Sequence, residues 1–182
     1  MKQSYSFNLF ADYFQIYLQD ERSEGNLGKS WTNEAVNRLL ALAPGIIGIG
    51  TARNMMVPVI VKVLDEAPSD DIGEWDQINE CSIEISSGRI VISGCTDYYP
   101  TAARIIVPKG TYRVRIYYGK LETLRNNGLE GDDQYKVVLW PGSSTPLKVI
   151  KQRKTIGAQP AAQADGQGAR GCRTPGVCLS WL

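Results

Sequence analysis

Carboxylates crowd one stretch of this sequence, Asp65–Glu80, which contains neither lysine nor arginine. The carboxylates in it are Asp65, Glu66, Asp70, Asp71, Glu74, Asp76 and Glu80. Such a run predicts a negative surface that imitates nucleic-acid phosphate and docks on a basic protein such as a nuclease. A Ca²⁺-binding loop is an alternative because carboxylate oxygens suit a hard cation, although the spacing differs from that of an EF-hand. A solvated loop that joins two strands is a third alternative.

A second candidate binding segment is Cys95–Pro100, which places Asp97 beside Tyr98 and Tyr99. Tyrosine adds contact area at little entropic cost, so this segment suits protein recognition. A structural role is the alternative, in which Asp97 caps a turn and one tyrosine packs at the end of a sheet. The predicted partner-binding residues are Asp65, Glu66, Asp70, Asp71, Glu74, Asp97, Tyr98 and Tyr99.

Three arginines form a further candidate. Arg113 and Arg115 lie on the polar side of an alternating run, and Arg104 lies nearby in the preceding limb of the same strand–turn–strand segment. Guanidinium groups in this arrangement suit a phosphate or a carboxylate. The alternative is that they are the solvated side of an amphipathic strand.

The sequence contains no histidine, which removes the commonest general base and the commonest metal ligand. Ser-His-Asp and Cys-His catalysis are therefore excluded, which leaves carboxylate-only or lysine-based chemistry as the alternative for an enzyme. None of the four cysteines, Cys81, Cys95, Cys172 and Cys178, belongs to a CxxC pair, so a four-thiolate zinc site is not expected. We predict that the chain is not an enzyme, with no catalytic residue, no metal site and no cofactor.

Charge and hydropathy limit the expected cellular location of the protein and the classes of partner that it binds. Lysine plus arginine number 20 and aspartate plus glutamate number 19, which gives no indication of direct nucleic-acid binding. The N-terminus lacks the apolar run of a signal peptide, and no stretch approaches the length of a membrane span. The expectation is a cytoplasmic protein without membrane contact.

These candidates must be positioned by short strands. Arg104–Gly119 alternates apolar and polar residues around Pro108 and Gly110, a pattern that predicts strand, tight turn, strand. Ile46–Ala52 and Val57–Leu64 are predicted to form another hairpin. A third hairpin is predicted for Cys81–Ile85 and Ile90–Gly94, which disfavours a disulfide between Cys81 and Cys95 because they would lie on opposite faces.

One helix is predicted near residues 32–43. Thr32 is placed to cap it, Trp31 and Val36 form a hydrophobic staple, and Pro44-Gly45 ends it. Many short strands with one helix and regular turn signals are typical of a mainly β protein, an antiparallel β-sandwich, with a closed barrel as the alternative. We predict a single domain over residues 1–156.

The composition changes near Gly157, where alanine, glutamine, glycine and proline dominate. Such a segment buries too little apolar surface to offset its ordering entropy. Residues 157–182 are therefore predicted to be a disordered, low-complexity tail.

Several short motifs, in this order, resemble a known family. They are Trp31–Ala35, Ala43–Gly45, Ile47–Ile49, Ala52–Asn54, Gly94–Tyr98, Pro108–Tyr112 and Leu139–Pro141. The chain resembles the competence protein J group, the DNA-entry nuclease inhibitors of bacilli, and a broad set of uncharacterised bacterial proteins with the GCTDY and LWP motifs. The resemblance covers roughly residues 5–150.

The resemblance implies a small non-enzymatic protein that binds another protein, as an inhibitor of a nuclease or as immunity against one. No inhibitory residue follows from the shared motifs, which mark a helix start, a helix end and turns. The alternative function is a Ca²⁺- or small-ligand-binding β-sandwich module.

Overall fold

The computed structural model describes residues 2–69 and 72–153, so the predicted tail at residues 157–182 lies outside the described residues. Within them lie eleven strands and one short α-helix, α1. The strands are β1 Gln3–Phe10, β2 Gln15–Asp20, β3 Leu40–Ala43, β4 Ile46–Gly50, β5 Met56–Val63, β6 Gln77–Ile85, β7 Arg89–Gly94, β8 Ala103–Ile106, β9 Gly110–Gly119, β10 Gln134–Pro141 and β11 Lys148–Lys151, and α1 is Asn33–Asn37. No helix of this described part is long and apolar enough to cross a membrane.

The strands form two sheets, as a β-sandwich requires. The six-stranded sheet has the order β1-β5-β10-β9-β6-β11, and the five-stranded sheet has the order β3-β4-β2-β7-β8. Neighbouring strands are antiparallel except β5 and β10, which are parallel. The prediction of a mainly β sandwich is confirmed, with this one parallel pair as an exception to its antiparallel design.

The core lies between the sheets and follows from period-2 alternation. In β2 every second residue is buried, beginning with Ile16 and Leu18, and β5 contributes Val57, Val59 and Val61 in the same way. Each fully buried aliphatic side chain contributes about 1.5–3 kcal/mol by removal from water. The alternation therefore fixes which face of each strand can carry exposed, functional side chains.

All three predicted hairpins are wrong, although their strands exist. β4 and β5, β6 and β7, and β8 and β9 each divide between the two sheets. Ile85, predicted to face Ile90, instead pairs with Gly110, and Ile90 pairs with Ile105 and with Asp20. The turns carry the chain across the core, so both limbs still direct their apolar side chains inward.

The predicted helix is correct at its start and too long at its end. The Ala35 N–H donates to Thr32 Oγ1 at 3.3 Å, as the capping prediction requires. The helix ends at Asn37, Leu39 takes a left-handed φ of 56°, and Leu40–Ala43 becomes strand β3. Pro44-Gly45 then turns β3 into β4, with Gly45 at φ 68°.

One end of the sandwich is held together by Asp20, whose side chain lies where the turn after β6 meets the end of β2. Its carboxylate accepts hydrogen bonds from Arg22 N–H at 3.1 Å, Ser86 Oγ at 3.1 Å and Ser87 N–H at 2.9 Å. Burial acts to raise the pKa of Asp20, but hydrogen bonds led by those of Ser87 outweigh it and hold the pKa below its ordinary value. The loops at the other end remain available to present other side chains.

Candidate protein-binding surface

The turn between β1 and β2 presents two aromatic side chains to solvent at the end of the sandwich opposite Asp20. Tyr13 is 71% exposed and Phe14 is 52% exposed. Both residues have a left-handed backbone, with φ values of 52° and 59°. Such a conformation strains residues other than glycine by roughly 1–3 kcal/mol each, so the surrounding structure must hold it.

Backbone hydrogen bonds from the β4–β5 connection hold this turn. Ala11, which is fully buried, donates its N–H to Met55 O at 3.0 Å. The Thr51 N–H donates to Phe14 O at 2.8 Å. The two contacts bracket Asp12–Phe14 and explain why the aromatic side chains point outward instead of collapsing onto the core.

The GCTDY motif holds the same turn from the other side. A Cβ at Gly94 would lie 2.2 Å from Phe10 O, so any larger residue there would force the backbone to shift. The Cys95 thiol donates to Asp12 O at 3.0 Å, and the Gly94 N–H donates to Asp97 Oδ2 at 2.7 Å. Asp97 therefore caps a turn. This is the structural role predicted from the sequence as the alternative to partner binding.

The two tyrosines after Asp97 differ in their exposure and in their contacts. Tyr98 is 72% exposed and projects into solvent. Tyr99 is fixed, because its hydroxyl donates to Glu21 O at 2.8 Å and the Arg104 guanidinium lies 5.4 Å from its ring centre. Arg104 Nε also pairs with Glu21 at 2.8 Å, and hydrogen bonds from Arg104 and Arg89 lower the pKa of Glu21.

An apolar groove of about 530 Å³ opens beside the exposed aromatic turn. Gly50 forms part of its floor, and a Cβ there would lie 3.1 Å from Leu39. Leu39 is itself held at a left-handed φ. The groove is lined by Tyr13, Phe14, Gln15, Trp31, Val36, Leu39, Gly50 and Thr51.

A polar cleft of about 480 Å³ adjoins the groove on the outer face of the five-stranded sheet. Gln15 and Trp31 line both recesses. The other side chains that shape the cleft include Tyr17, Gln19, Cys95, Asp97 and Tyr99.

Besides Asp97, the cleft contains the titratable side chains of Tyr17 and Cys95. The pKa of each is raised, which favours the neutral form. Burial, with a smaller effect of Cys95, raises the pKa of Tyr17. Burial also raises the pKa of Cys95, and the nearby carboxylates of Asp12 and Asp97 add to the effect. Both groups therefore stay protonated at neutral pH, so the charge of the cleft is that of Asp97.

The acidic segment lies elsewhere. It leaves β5 at Leu64 and enters β6 at Gln77, crossing the outer face of the six-stranded sheet, where the Trp75 and Tyr117 ring centres are 5.3 Å apart. Asp65, Glu66 and Glu74 are exposed in this segment. Asp70 and Asp71 lie outside the described residues. Three lysines, Lys2, Lys62 and Lys136, line the same surface depression as Glu66, so the negative charge is not isolated.

The end of the acidic run serves the fold. Glu80 is 4% exposed, and its carboxylate pairs with Arg113 and, at 2.8 Å, with Arg115. Both guanidinium groups also lie over the Trp140 ring, at 5.7 and 5.5 Å from its centre. Asp76 accepts a hydrogen bond from the Leu121 N–H at 2.7 Å. The arginine candidates are thus engaged within the molecule.

The predicted binding residues therefore fall on two surfaces. Asp97, Tyr98 and Tyr99 belong to the loop between β7 and β8 of the five-stranded sheet, whereas Asp65, Glu66 and Glu74 belong to the outer side of the six-stranded sheet. Sequence reasoning missed Tyr13 and Phe14, whose signal was the loss of alternation after β1. Within residues 2–69 and 72–153, no group of three or more carboxylates or thiols is placed to hold a metal ion.

Two solved structures share this arrangement of strands. ComJ from Bacillus subtilis, described as an inhibitor of the DNA-degrading activity of NucA, superposes with a TM-score of 0.62 at 18% identity. The match covers 78% of this chain and 99% of ComJ. This chain has the ComJ fold. The resemblance to the competence protein J group is thereby confirmed at the level of the fold.

The second structure is described as crocagin biosynthetic gene J. It superposes with a TM-score of 0.53 at 19% identity, over 79% of this chain and 99% of the other. No protein-family model matches the sequence, and no curated protein matches it significantly. At 18% and 19% identity, the similarity to these two structures establishes a shared fold and does not establish a shared activity.

Proposed function

We propose that this chain is a non-enzymatic protein that binds another protein and inhibits it, with a DNA-degrading nuclease as the first candidate partner. The observation that carries the proposal is the aromatic turn, in which Tyr13 and Phe14 are exposed on a strained backbone. Exposed aromatic side chains in a rigid setting are the usual anchors of protein interfaces. A cytoplasmic location is part of the proposal, and the free thiols of Cys81 and Cys95 support it.

The strain at the turn argues against a purely structural role. Solvent-exposed aromatic groups contribute little to the core, and asparagine or glycine would adopt the left-handed backbone more easily than Tyr13 or Phe14. Strained residues that persist at an exposed turn are typical of functional positions.

The choice of a nuclease rests on the fold shared with ComJ, the NucA inhibitor. The acidic segment supports this choice as a steering element, since exposed carboxylates speed the approach of a basic protein. Asp65, Glu66, Asp70, Asp71 and Glu74 are therefore proposed to guide the partner, while the aromatic turn supplies the contact area.

The test pairs the purified protein with a nuclease encoded beside it in its genome, measuring co-elution in size-exclusion chromatography and inhibition of DNA cleavage. The Tyr13→Asn/Phe14→Asn double variant should weaken binding at least about 30-fold, since two interface anchors are lost. Its melting temperature should not fall, because asparagine tolerates the left-handed backbone. Ile106→Ala, a change at an apolar residue that is 74% exposed on β8, is the matched control and should bind normally.

Charge neutralisation of Asp65 and Glu66 should slow association and reduce its salt dependence while leaving dissociation nearly unchanged. Absence of any complex at micromolar concentrations, together with undiminished DNA cleavage, would contradict the proposed function.

A further inference from the structure

The polar cleft and the apolar groove adjoin each other, because Gln15 and Trp31 line both, and together they are called the recess below. Among the described residues that line the two parts, Asp97 carries the only formal charge, and neither part is lined by lysine or arginine. The recess therefore repels anions and attracts cations. Its volumes, about 480 and 530 Å³, fall in the range of sites that enclose a ligand group.

The shared wall holds one buried acceptor and one buried donor without partners within the described residues. Gln15 Oε1 and Trp31 Nε1 are buried, and neither makes a hydrogen bond within the described part of the chain. A buried polar atom without a partner is destabilising, so these two atoms are candidates for pairing with a ligand. A peptide group carries both complements: when the two side chains turn toward the recess, its N–H can donate to Gln15 Oε1 and its carbonyl can accept from Trp31 Nε1.

The polar cleft has the composition of a cation site. Three aromatic side chains, Tyr17, Trp31 and Tyr99, line it together with the carboxylate of Asp97, although Arg104 already lies over the Tyr99 ring. Aromatic faces attract lysine and arginine through the ring quadrupole, and a nearby carboxylate adds a charge-assisted hydrogen bond. Asp97 Oδ2 is engaged by the Gly94 N–H, so Oδ1 is the oxygen left for contact with a cation.

We propose that this recess binds an extended segment of the partner protein. A lysine or arginine side chain of that segment enters the polar cleft, a neighbouring apolar side chain enters the groove, and the main chain crosses between them at Gln15 and Trp31. This inference rests on the proposed function for the class of partner, a basic protein. It adds the position of the contact and the side chains that the site selects.

The test uses the full chain and the peptide acetyl-Gly-Arg-Leu-Gly-amide, with acetyl-Gly-Glu-Leu-Gly-amide as the charge-reversed probe. Amide and indole NMR signals are followed during titration. The arginine peptide should shift the indole N–H of Trp31 and the side-chain amide of Gln15, and it should bind at least about fivefold more tightly than the glutamate peptide.

Two variants separate the charge from the peptide contact. Asp97→Asn keeps an oxygen for the Gly94 N–H and should weaken the arginine peptide about fivefold while leaving the glutamate peptide unchanged or improved. Gln15→Met removes the acceptor at similar volume and should weaken both peptides at least about threefold. Glu66→Gln, the same loss of a charge on the other sheet, should change neither affinity.

Equal affinity for the two peptides would overturn the proposal. So would NMR chemical-shift changes confined to residues 64–77. A Trp31 signal that moves with protein concentration alone would assign the recess to a second copy of the chain. A Trp31 signal that moves in the Trp181→Ala full-length variant without peptide would assign it to the chain's own C-terminus, and both outcomes refute a partner segment. The titration contains no nuclease, so its failure leaves the inhibition assay to decide the proposed function separately.

Discussion

Replacement of Gly94 by alanine tests how tightly the GCTDY motif and the aromatic turn are joined. The new Cβ would lie 2.2 Å from Phe10 O, whereas real Cβ atoms essentially never come within 3.0 Å of another heavy atom. The β1 backbone or β7 must therefore move by about 0.8 Å or more. The neighbouring Ala11 N–H bond to Met55 O resists that movement.

Overpacking of this kind costs typically about 1–3 kcal/mol, and the backbone contact places Gly94→Ala at the upper end. Alanine recovers roughly 0.5–1 kcal/mol because glycine is unfavourable within a strand. The expected net loss is about 2 kcal/mol in the free energy of unfolding, which corresponds to a fall of roughly 4–8 °C in melting temperature.

The assay is urea unfolding followed by tryptophan fluorescence, with thermal unfolding as a second measurement. Gly73→Ala is the control, because a Cβ at Gly73 meets nothing within 4 Å, and it should change stability by less than about 0.5 kcal/mol. A Gly94→Ala protein as stable as the control would refute the argument that Phe10 O and Gly94 hold the turn. If Gly94→Ala also weakens nuclease binding, the contact between Gly94 and Phe10 O is needed for the proposed binding surface as well as for stability.

Other predictions concern titration, thiols, calcium and the C-terminus. Asp20→Asn should lower the free energy of unfolding by about 2 kcal/mol at neutral pH. Because the folded-state pKa of Asp20 is lowered, its contribution is present above the ordinary carboxyl pKa of about 4 and should vanish in urea titrations at lower pH. Burial raises the pKa of Cys81 to about 12, so iodoacetamide should modify it only in urea, as peptide mass spectrometry would reveal. Millimolar Ca²⁺ should leave the melting temperature unchanged, whereas a rise would favour the ligand-binding alternative. Removal of residues 157–182 should also leave the melting temperature nearly unchanged, and a large fall would show that they belong to the domain.

The sequence predicted strands well and their pairing poorly, for a physical reason. Alternation reports which side chains face the core, and a glycine-containing turn reports that the chain reverses. Neither signal distinguishes a reversal within one sheet from a crossing between two sheets, since Ile85 and Ile90 face the core in both cases. Only the partners that are distant in sequence, Gly110 and Ile105, decide between them.

The candidate surface was predictable only in part. Asp97, Tyr98 and Tyr99 stood out because a carboxylate and two aromatic residues occupy an obvious loop. Tyr13 and Phe14 sit among strand-forming residues, so their exposure depends on the left-handed backbone that Thr51 and Met55 hold in place. The helix was overextended because Leu39, Leu40 and Ala43 satisfy helical spacing, and only the pairing of Leu40–Ala43 with β4 identifies a strand.

The position of β10 has a consequence for how the protein folds. β10 lies between β5 and β9, so it joins strands on either side of it that are far apart in the chain. Until residues 134–141 have left the ribosome, β1 and β5 have no link to β9 and β6 within their sheet, and the core stays open. Folding of the sandwich must therefore wait for nearly the whole domain to be synthesised, and its many non-local pairings place the folding time in the range of roughly milliseconds to seconds.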